Sequence, residues 1–321
     1  MARPAYLPDN FTLSLAFTVL VASVVPCSGI VAKVFNAGTV VAIALLFFLH
    51  GAKLSREAVV AGLTHWRLHL LVLASTFLLF PLLGLLLKPF MLRLVTPELY
   101  LGILFLCVLP STIQSSIALT AIARGNVPAA VCSASASNLL GIFISPLLIG
   151  LLFAGTGASH FSLGAIVTIM VQLLLPFVAG QFARKHIGGW VERQRSKLRV
   201  VDQGSILLVV YTAFSDAVNQ GLWHQLPGRA LSGLVFVNIL LLALALAIST
   251  LCSRRLGFNR QDEITIVFCG SKKSLSSGVP MAKVLFAGHP IGMIVLPLML
   301  FHQIQLMACS ILAQRYARSA R

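Results

Sequence analysis

Charge is scarce in this sequence: 10% of its 321 residues are Asp, Glu, Lys or Arg, and only 8 are acidic. Soluble globular domains carry about 25% charged residues, so water is excluded as the main solvent of the chain. Paired cysteines are missing as well. Cys27, Cys107, Cys132, Cys252, Cys269 and Cys309 are scattered, form no C-x-x-C pair and fall in or beside apolar stretches. They read as small hydrophobes rather than disulfide partners or metal ligands. H-E-x-x-H, G-x-S-x-G and G-x-x-x-x-G-K-[ST] are all absent. No enzyme, no ATP-driven chemistry and no cofactor is therefore expected. The net charge of +16 would suit nucleic acid, but no basic face with base-reading groups is present. Its Lys and Arg residues stand singly or in short clusters between apolar stretches, and no nucleic-acid partner is expected.

Apolar runs are what the chain has in abundance: 58% of residues are hydrophobic and the mean hydropathy is +0.95. A spanning helix needs roughly 20 mostly apolar residues. Such runs fall near 11–26, 34–50, 68–87, 101–123, 127–154, 162–183, 204–220, 232–252, 264–286 and 291–313. The expected fold is an all-α integral membrane bundle of ten helices, with the lipid bilayer as its surroundings. The first run, Phe11 to Val25, is read as a retained helix and not a signal peptide, because spans follow it directly.

Lys and Arg set the orientation. With the N-terminus in the cytoplasm, cytoplasmic segments hold 17 of these residues and outer loops hold five, namely Lys33, Lys88, Arg93, Arg229 and Lys283. The bias puts both termini in the cytoplasm of the cell (inner) membrane. The basic stretch from Arg184 to Arg199, within a linker drawn at 184–203, falls on the cytoplasmic side.

Two spans are interrupted by polar residues, and the interruptions resemble each other. LCVLPSTIQSSIALTAIARGN (106–126) matches VFCGSKKSLSSGVPMAKVLFAGH (267–289), with Ser115-Ser116 on Ser276-Ser277 at an offset of 161 and Gly125 on Gly288 at 163. Five helices separate the matched positions, so the two halves, 1–154 and 162–316, should be inverted repeats. In secondary transporters of that plan, broken helices at matching positions mark the binding site.

The candidate binding residues cluster on these segments. Pro110 removes a backbone donor, and Ser111, Thr112, Gln114, Ser115 and Ser116 follow it. Such a break survives in a bilayer only where protein buries it or it lines a cavity. The second interruption carries Ser271, Lys272, Lys273 and Ser274. A lysine at a span centre costs roughly 2.5–3.5 kcal/mol on insertion scales. The carbonyl end of the preceding half-helix favours a cation there. Asp216, an acid well inside a span, suits pairing with a lysine, proton carriage or a place at the outer interface. Asn138, His302, Gln303 and Gln305 complete the intramembrane polar set; each alone is an ordinary helix–helix hydrogen-bonding residue.

PSTIQSSIALTAIARGNVPAAV, SASASNLLGIFISPLL and FHQIQLM resemble the bile acid:sodium symporter superfamily, specifically its bacterial symporter-like branch. The resemblance implies a core of helices 3–5 and 8–10 rocking against a panel of helices 1, 2, 6 and 7, with substrate between them. It also implies sodium held by a Ser-Asn pair at the first break, hydroxyls on the next helix, and a Glu and a Gln at the second break. Here Ser115-Ser116 stand for the Ser-Asn pair, Ala130 and Ala134 for the hydroxyls, Phe268 for the Glu and Lys272 for the Gln. A sodium ion beside two charged lysines would be repelled. The sequence thus points to a secondary active transporter of a small organic anion, with Lys272 and Lys273 as built-in cations and proton coupling as an option. The alternative is a non-transporting regulatory or scaffold protein on the same fold. Substrate identity, coupling ion and oligomeric state are not legible.

Overall fold

The computed structural model describes residues 10–53, 65–153, 163–286 and 291–319. Arg3, Arg56 and Arg321 of the charge count, Gly288 of the repeat and the junction at 154–162 lie outside them. Every regular element among the described residues is helical: besides two four-residue helices, Lys88–Met91 and Leu222–Gln225, these are α1 (Asn10–Val24), α2 (Gly29–Lys53), α3 (Trp66–Leu86), α4 (Pro97–Val108), α5 (Ile113–Ile122), α6 (Val127–Phe153), α7 (Leu163–Arg193), α8 (Arg195–Asn219), α9 (Gly228–Arg255), α10 (Arg260–Gly270), α11 (Leu275–Leu285) and α12 (Ile291–Arg318). Six of these (α2, α3, α6, α8, α9 and α12) are long and apolar enough to cross a membrane, and α4 with α5, bent by 64° at their break, make a seventh if taken as one span.

Large apolar side chains cover the outside of the bundle: Phe17, Val24, Ile30, Leu86, Leu151 and Phe182 are each more than 60% exposed. A water-soluble surface does not tolerate apolar area on this scale. These faces belong against acyl chains, and the chain is a multi-pass membrane protein.

The basic stretch from Arg184 to Arg199 is helical rather than a loop, since α7 runs to Arg193 and α8 begins at Arg195. At a rise of about 1.5 Å per residue, the 31 residues of α7 exceed the ~30 Å of hydrocarbon in a bilayer. An apolar part and a basic end thus share one continuous helix, which is why hydropathy does not locate the end of the helix.

Packing sorts the helices into two groups. α2 lies along α7 and α8, and α1 lies along α8. In the other group α4 packs on α12, α3 on α10, α9 on α10 and α12, and α5 on α6. The groups meet where α8 and α7 touch α11, α8 touches α12, and α7 touches α6. Lipid is as apolar as leucine, so helix pairs in a bilayer gain from close backbone approach at small residues. The α2–α7 pair shows this directly. A Cβ on Gly51 would lie 2.0 Å from the Phe177 carbonyl oxygen, and one on Gly180 would lie 2.0 Å from that of Phe48.

Candidate functional site

The α4–α5 break begins at a proline. Pro110 has no N–H, and its ring pushes the preceding residue out of the helical region; Leu109 accordingly sits at φ −73°, ψ 152°. The chain stays extended through Thr112 and re-enters a helix at Ile113. The α10–α11 break, at 271–274, has no proline at its start. There the Ser271 hydroxyl donates back to the Val267 carbonyl at 2.6 Å, which competes with helix continuation. Ser274 then restarts the helix as a cap, its hydroxyl oxygen accepting from the Ser277 N–H at 3.2 Å.

The two breaks cross. The Ser274 N–H donates to the Pro110 carbonyl at 2.8 Å, and C-terminal carbonyls of α4 and α10 each take donors from the other broken helix. Ser111 Oγ donates to the Cys269 carbonyl at 2.6 Å and Ser116 Oγ to that of Phe268 at 3.2 Å, so hydroxyls cover the C-terminal end of α10. Lys273 does the reciprocal work for α4. Its Nζ donates to the carbonyls of Cys107 at 2.8 Å, Leu109 at 2.8 Å and Thr76, on α3, at 2.7 Å. The ammonium also stands 4.2 Å from the centroid of the Phe80 ring. Three N–H donors on three carbonyls exhaust the hydrogen bonding of a protonated lysine, in a side chain with no exposed surface.

Thr76 is available because α3 contains a π-helical turn, Ser75–Leu79. In that geometry the donor to the Thr76 carbonyl would come from five residues on, which is Pro81 and has no N–H. Such turns recur at functional sites. α6 and α12 supply the remaining partners. Ser137 Oγ accepts from the Ser111 N–H at 3.0 Å, and Asn138 Nδ2 donates to the Ser111 carbonyl at 2.5 Å. Ser277 Oγ donates to Asn138 Oδ1 at 2.8 Å, joining the breaks through α6. Gln305 clasps the second break from both sides: its Oε1 accepts from the Lys273 N–H at 2.9 Å, and its Nε2 donates to the Lys273 carbonyl at 2.9 Å. His302 Nδ1 lies 3.0 Å from the same Nε2.

Among the residues singled out in the sequence, Thr112, Ser115, Ser116, Asn138, Ser271, Lys273, Ser274 and His302 thus belong to one hydrogen-bonded crossing, with Thr112 Oγ1 2.7 Å from Ser115 Oγ. Gln114 is exposed on the first turn of α5, and Gln303 is half-buried on α12. Lys272 has no exposed surface, and its Nζ has no hydrogen-bond partner among the described residues; the Phe268 ring centroid is 5.9 Å away. Asp216 takes the pairing option, with Lys283 on α11 and not with either lysine of the break; the N···O distance is 2.9 Å. That contact joins α8 to α11, hence one helix group to the other. Ala130 and Ala134 are buried methyls, and the Phe268 ring stacks edge-on against Tyr316.

Gln305, named with the intramembrane polar set, belongs to the crossing as well; three contributors were not singled out as site residues: Thr76, Ser137 and Ser277. Only the proline five residues after Thr76 hints at the first. The A-R-G-N run also acquires a structural reading. Arg124, at φ 61°, turns the chain out of α5. A Cβ on Gly125 would meet Ile264 at 2.6 Å. Asn126 caps α6 through the Ala129 N–H at 3.1 Å and donates to Asp262 at 2.9 Å. The motif therefore clamps the far end of α5 to the start of α10.

Long lipid-facing helices, two broken helices crossing within protein and a buried cation at the crossing define a multi-pass membrane transporter. The comparisons agree. The model of the SBF-like CPA transporter family matches residues 9–318, and the chain belongs to that family, in the bacterial branch of the bile acid:sodium symporter superfamily. It is 66% identical to an uncharacterized protein of Pseudomonas aeruginosa over 99% of this chain and 96% of that one. It is 57% identical to "Putative symporter YfeH" of Escherichia coli, over 97% and 93% of the two chains. Identity to sodium/bile acid cotransporter 7 of Rattus norvegicus is 30%, over 85% and 81%.

Proposed function

We propose that this protein is a secondary active transporter that moves a small organic anion, such as a carboxylate, sulfate ester or sulfonate, by alternating access. The carrying observation is Lys273. Its ammonium occupies a cage of carbonyl oxygens of the kind that would otherwise attract a metal cation, so the crossing holds a positive charge in its own covalent structure. Nearby, α5 begins at Thr112 without a side-chain cap. Its first N–H groups and the exposed Gln114 offer donors, and a helix N-terminus favours an anion. Sodium is not required on this reading: the positions implied for its ligands carry Ala130, Ala134, Phe268 and Lys272.

The two lysines divide the work. Removing a proton from Lys273 breaks a carbonyl hydrogen bond, whereas Lys272 can release one without losing any. Lys272 is therefore the residue that exchanges a proton between facing states. Arginine cannot release its proton. Lys272→Arg should abolish solute-driven pH changes in proteoliposomes, and unaltered proton movement in that variant would remove the assignment.

Ten spans in inverted repeats 1–154 and 162–316, with 184–203 and both termini in the cytoplasm, are part of the same reading. The core is α3–α6 with α9–α12, and it rocks against α1, α2, α7 and α8. Single cysteines at Ser196 and Gly228, in a cysteine-free background, test the orientation: an impermeant reagent applied to intact cells should label the second position and spare the first. The function itself is tested by thermal unfolding of the purified chain with panels of carboxylates, sulfate esters and sulfonates, with and without sodium at two pH values. An anion should raise the midpoint without sodium. Stabilisation that appears only with sodium would sink the built-in-cation reading.

A further inference from the structure

One surface feature lies outside the crossing and takes no part in it. Between α9 and α12, Leu246, Ala247, Leu251 and Leu312 wall an open groove of ≈ 710 Å3. Its volume is in the range of ligand sites, roughly 300–1,000 Å3. The groove ends where both helices finish, at Arg254, Arg315 and Tyr316, and a smaller hollow of ≈ 340 Å3 adjoins it there, lined also by Arg260 and Glu263.

Three arginines and one carboxylate line this end. Arg254 spends Nε and Nη2 on Glu263, both at 3.0 Å, and the Tyr316 hydroxyl donates to the same carboxylate at 2.9 Å. Glu263 is thereby fully engaged. Arg260 is held against the end of α12, donating to the carbonyls of Tyr316 and Ser319 at 3.1 Å. Arg315 is exposed and forms no ion pair among the described residues. The mouth therefore keeps an excess of positive charge directly above an apolar furrow whose Leu251 is 51% exposed.

We propose that this groove is a binding site for one anionic phospholipid, its acyl chain along α9 and α12 and its phosphate at Arg315 and Arg254. Apolar wall and cationic mouth are the complement of an acidic amphiphile, and basic pockets between spanning helices recognise such headgroups. A free phosphate would use the arginines but not the furrow. The site is separate from the transport reading and stands or falls independently of it.

The purified full-length chain in detergent is examined by native mass spectrometry and thermal unfolding with phosphatidylglycerol, phosphatidylcholine or inorganic phosphate. Phosphatidylglycerol should be retained in preference to phosphatidylcholine. Arg315→Ala should weaken it about fivefold, the factor equivalent to about 1 kcal/mol per basic residue, while Arg93→Ala, on an exposed surface elsewhere, should leave it unchanged. Ala247→Trp, which fills the furrow and leaves the arginines in place, should weaken both lipids; Leu251→Gln serves the same purpose if that variant does not accumulate. Equal loss in Arg315→Ala and Arg93→Ala would overturn the proposal. So would lipid binding indifferent to the furrow, or a stabilisation that inorganic phosphate alone reproduces.

Discussion

The two helix breaks face the same problem and answer it with different chemistry. Each leaves the C-terminal carbonyls of a half-helix deep in the protein, where an unpaired group costs about 1–3 kcal/mol. At the end of α10 the donors are the neutral hydroxyls of Ser111 and Ser116. At the end of α4 they are two of the three N–H bonds of one ammonium, Lys273, with Ser145 Oγ donating to the intervening Val108 carbonyl at 2.7 Å; the third N–H reaches Thr76 on α3. The hydroxyl solution is divisible, since each bond belongs to a separate side chain. The ammonium solution is not, because one residue holds α3, α4 and the second break together and brings a charge with it. A related pair of breaks can thus be mechanically equivalent and electrostatically different.

The sharpest way to break that comparison is to remove the ammonium. Lys273→Met orphans three carbonyls at once and should destabilise the protein by roughly 3 kcal/mol or more, read as a large drop in the thermal midpoint or a failure to accumulate. If Lys273→Met unfolded like the wild type, the cage would be incidental to the fold. Gln305→Leu comes next. It strips partners from both the N–H and the carbonyl of Lys273, and about 2 kcal/mol or more should be lost. Asn138→Ala, which acts on the neutral break and its link to Ser277, should cost about 1 kcal/mol.

Smaller effects sharpen the picture. Asp216→Asn breaks a partly exposed ion pair, for which about 0.2–1 kcal/mol is expected. Because the pair spans the two helix groups, its loss should favour the state in which they part. That is readable as faster labelling of a cysteine introduced at Ser276 in a cysteine-free background. Lys272→Met should change stability least, or raise it, since no hydrogen bond is lost with the ammonium. A destabilisation as large as that of Lys273→Met would show that the two lysines do not differ as their partners indicate.

Much of this was legible beforehand. Pro110 and the run Gly270-Ser271-Lys272-Lys273 located both breaks, and the matched serines indicated that they belong together. What the sequence could not distinguish was adjacent Lys272 from Lys273. Neighbouring residues of one type share every local pattern, and the partners that separate them here are backbone carbonyls, which every residue possesses. Asp216 was equally open, because its lysine lies on α11 and only packing brings the two within reach. The basic stretch from Arg184 to Arg199 read as a polar connection. A helix satisfies its own backbone in either solvent, so hydropathy records where lipid ends and not where the helix does.

The sequence by itself therefore determined the solvent, the chain's division into long apolar helices and the two points at which helices must break, since these follow from the cost of placing polar groups in hydrocarbon. Tertiary structure decided which lysine is caged, which carbonyls cage it and which helices Asp216 and Lys283 join. Those outcomes depend on where backbone oxygens from distant segments converge, and no local pattern of side chains encodes that convergence.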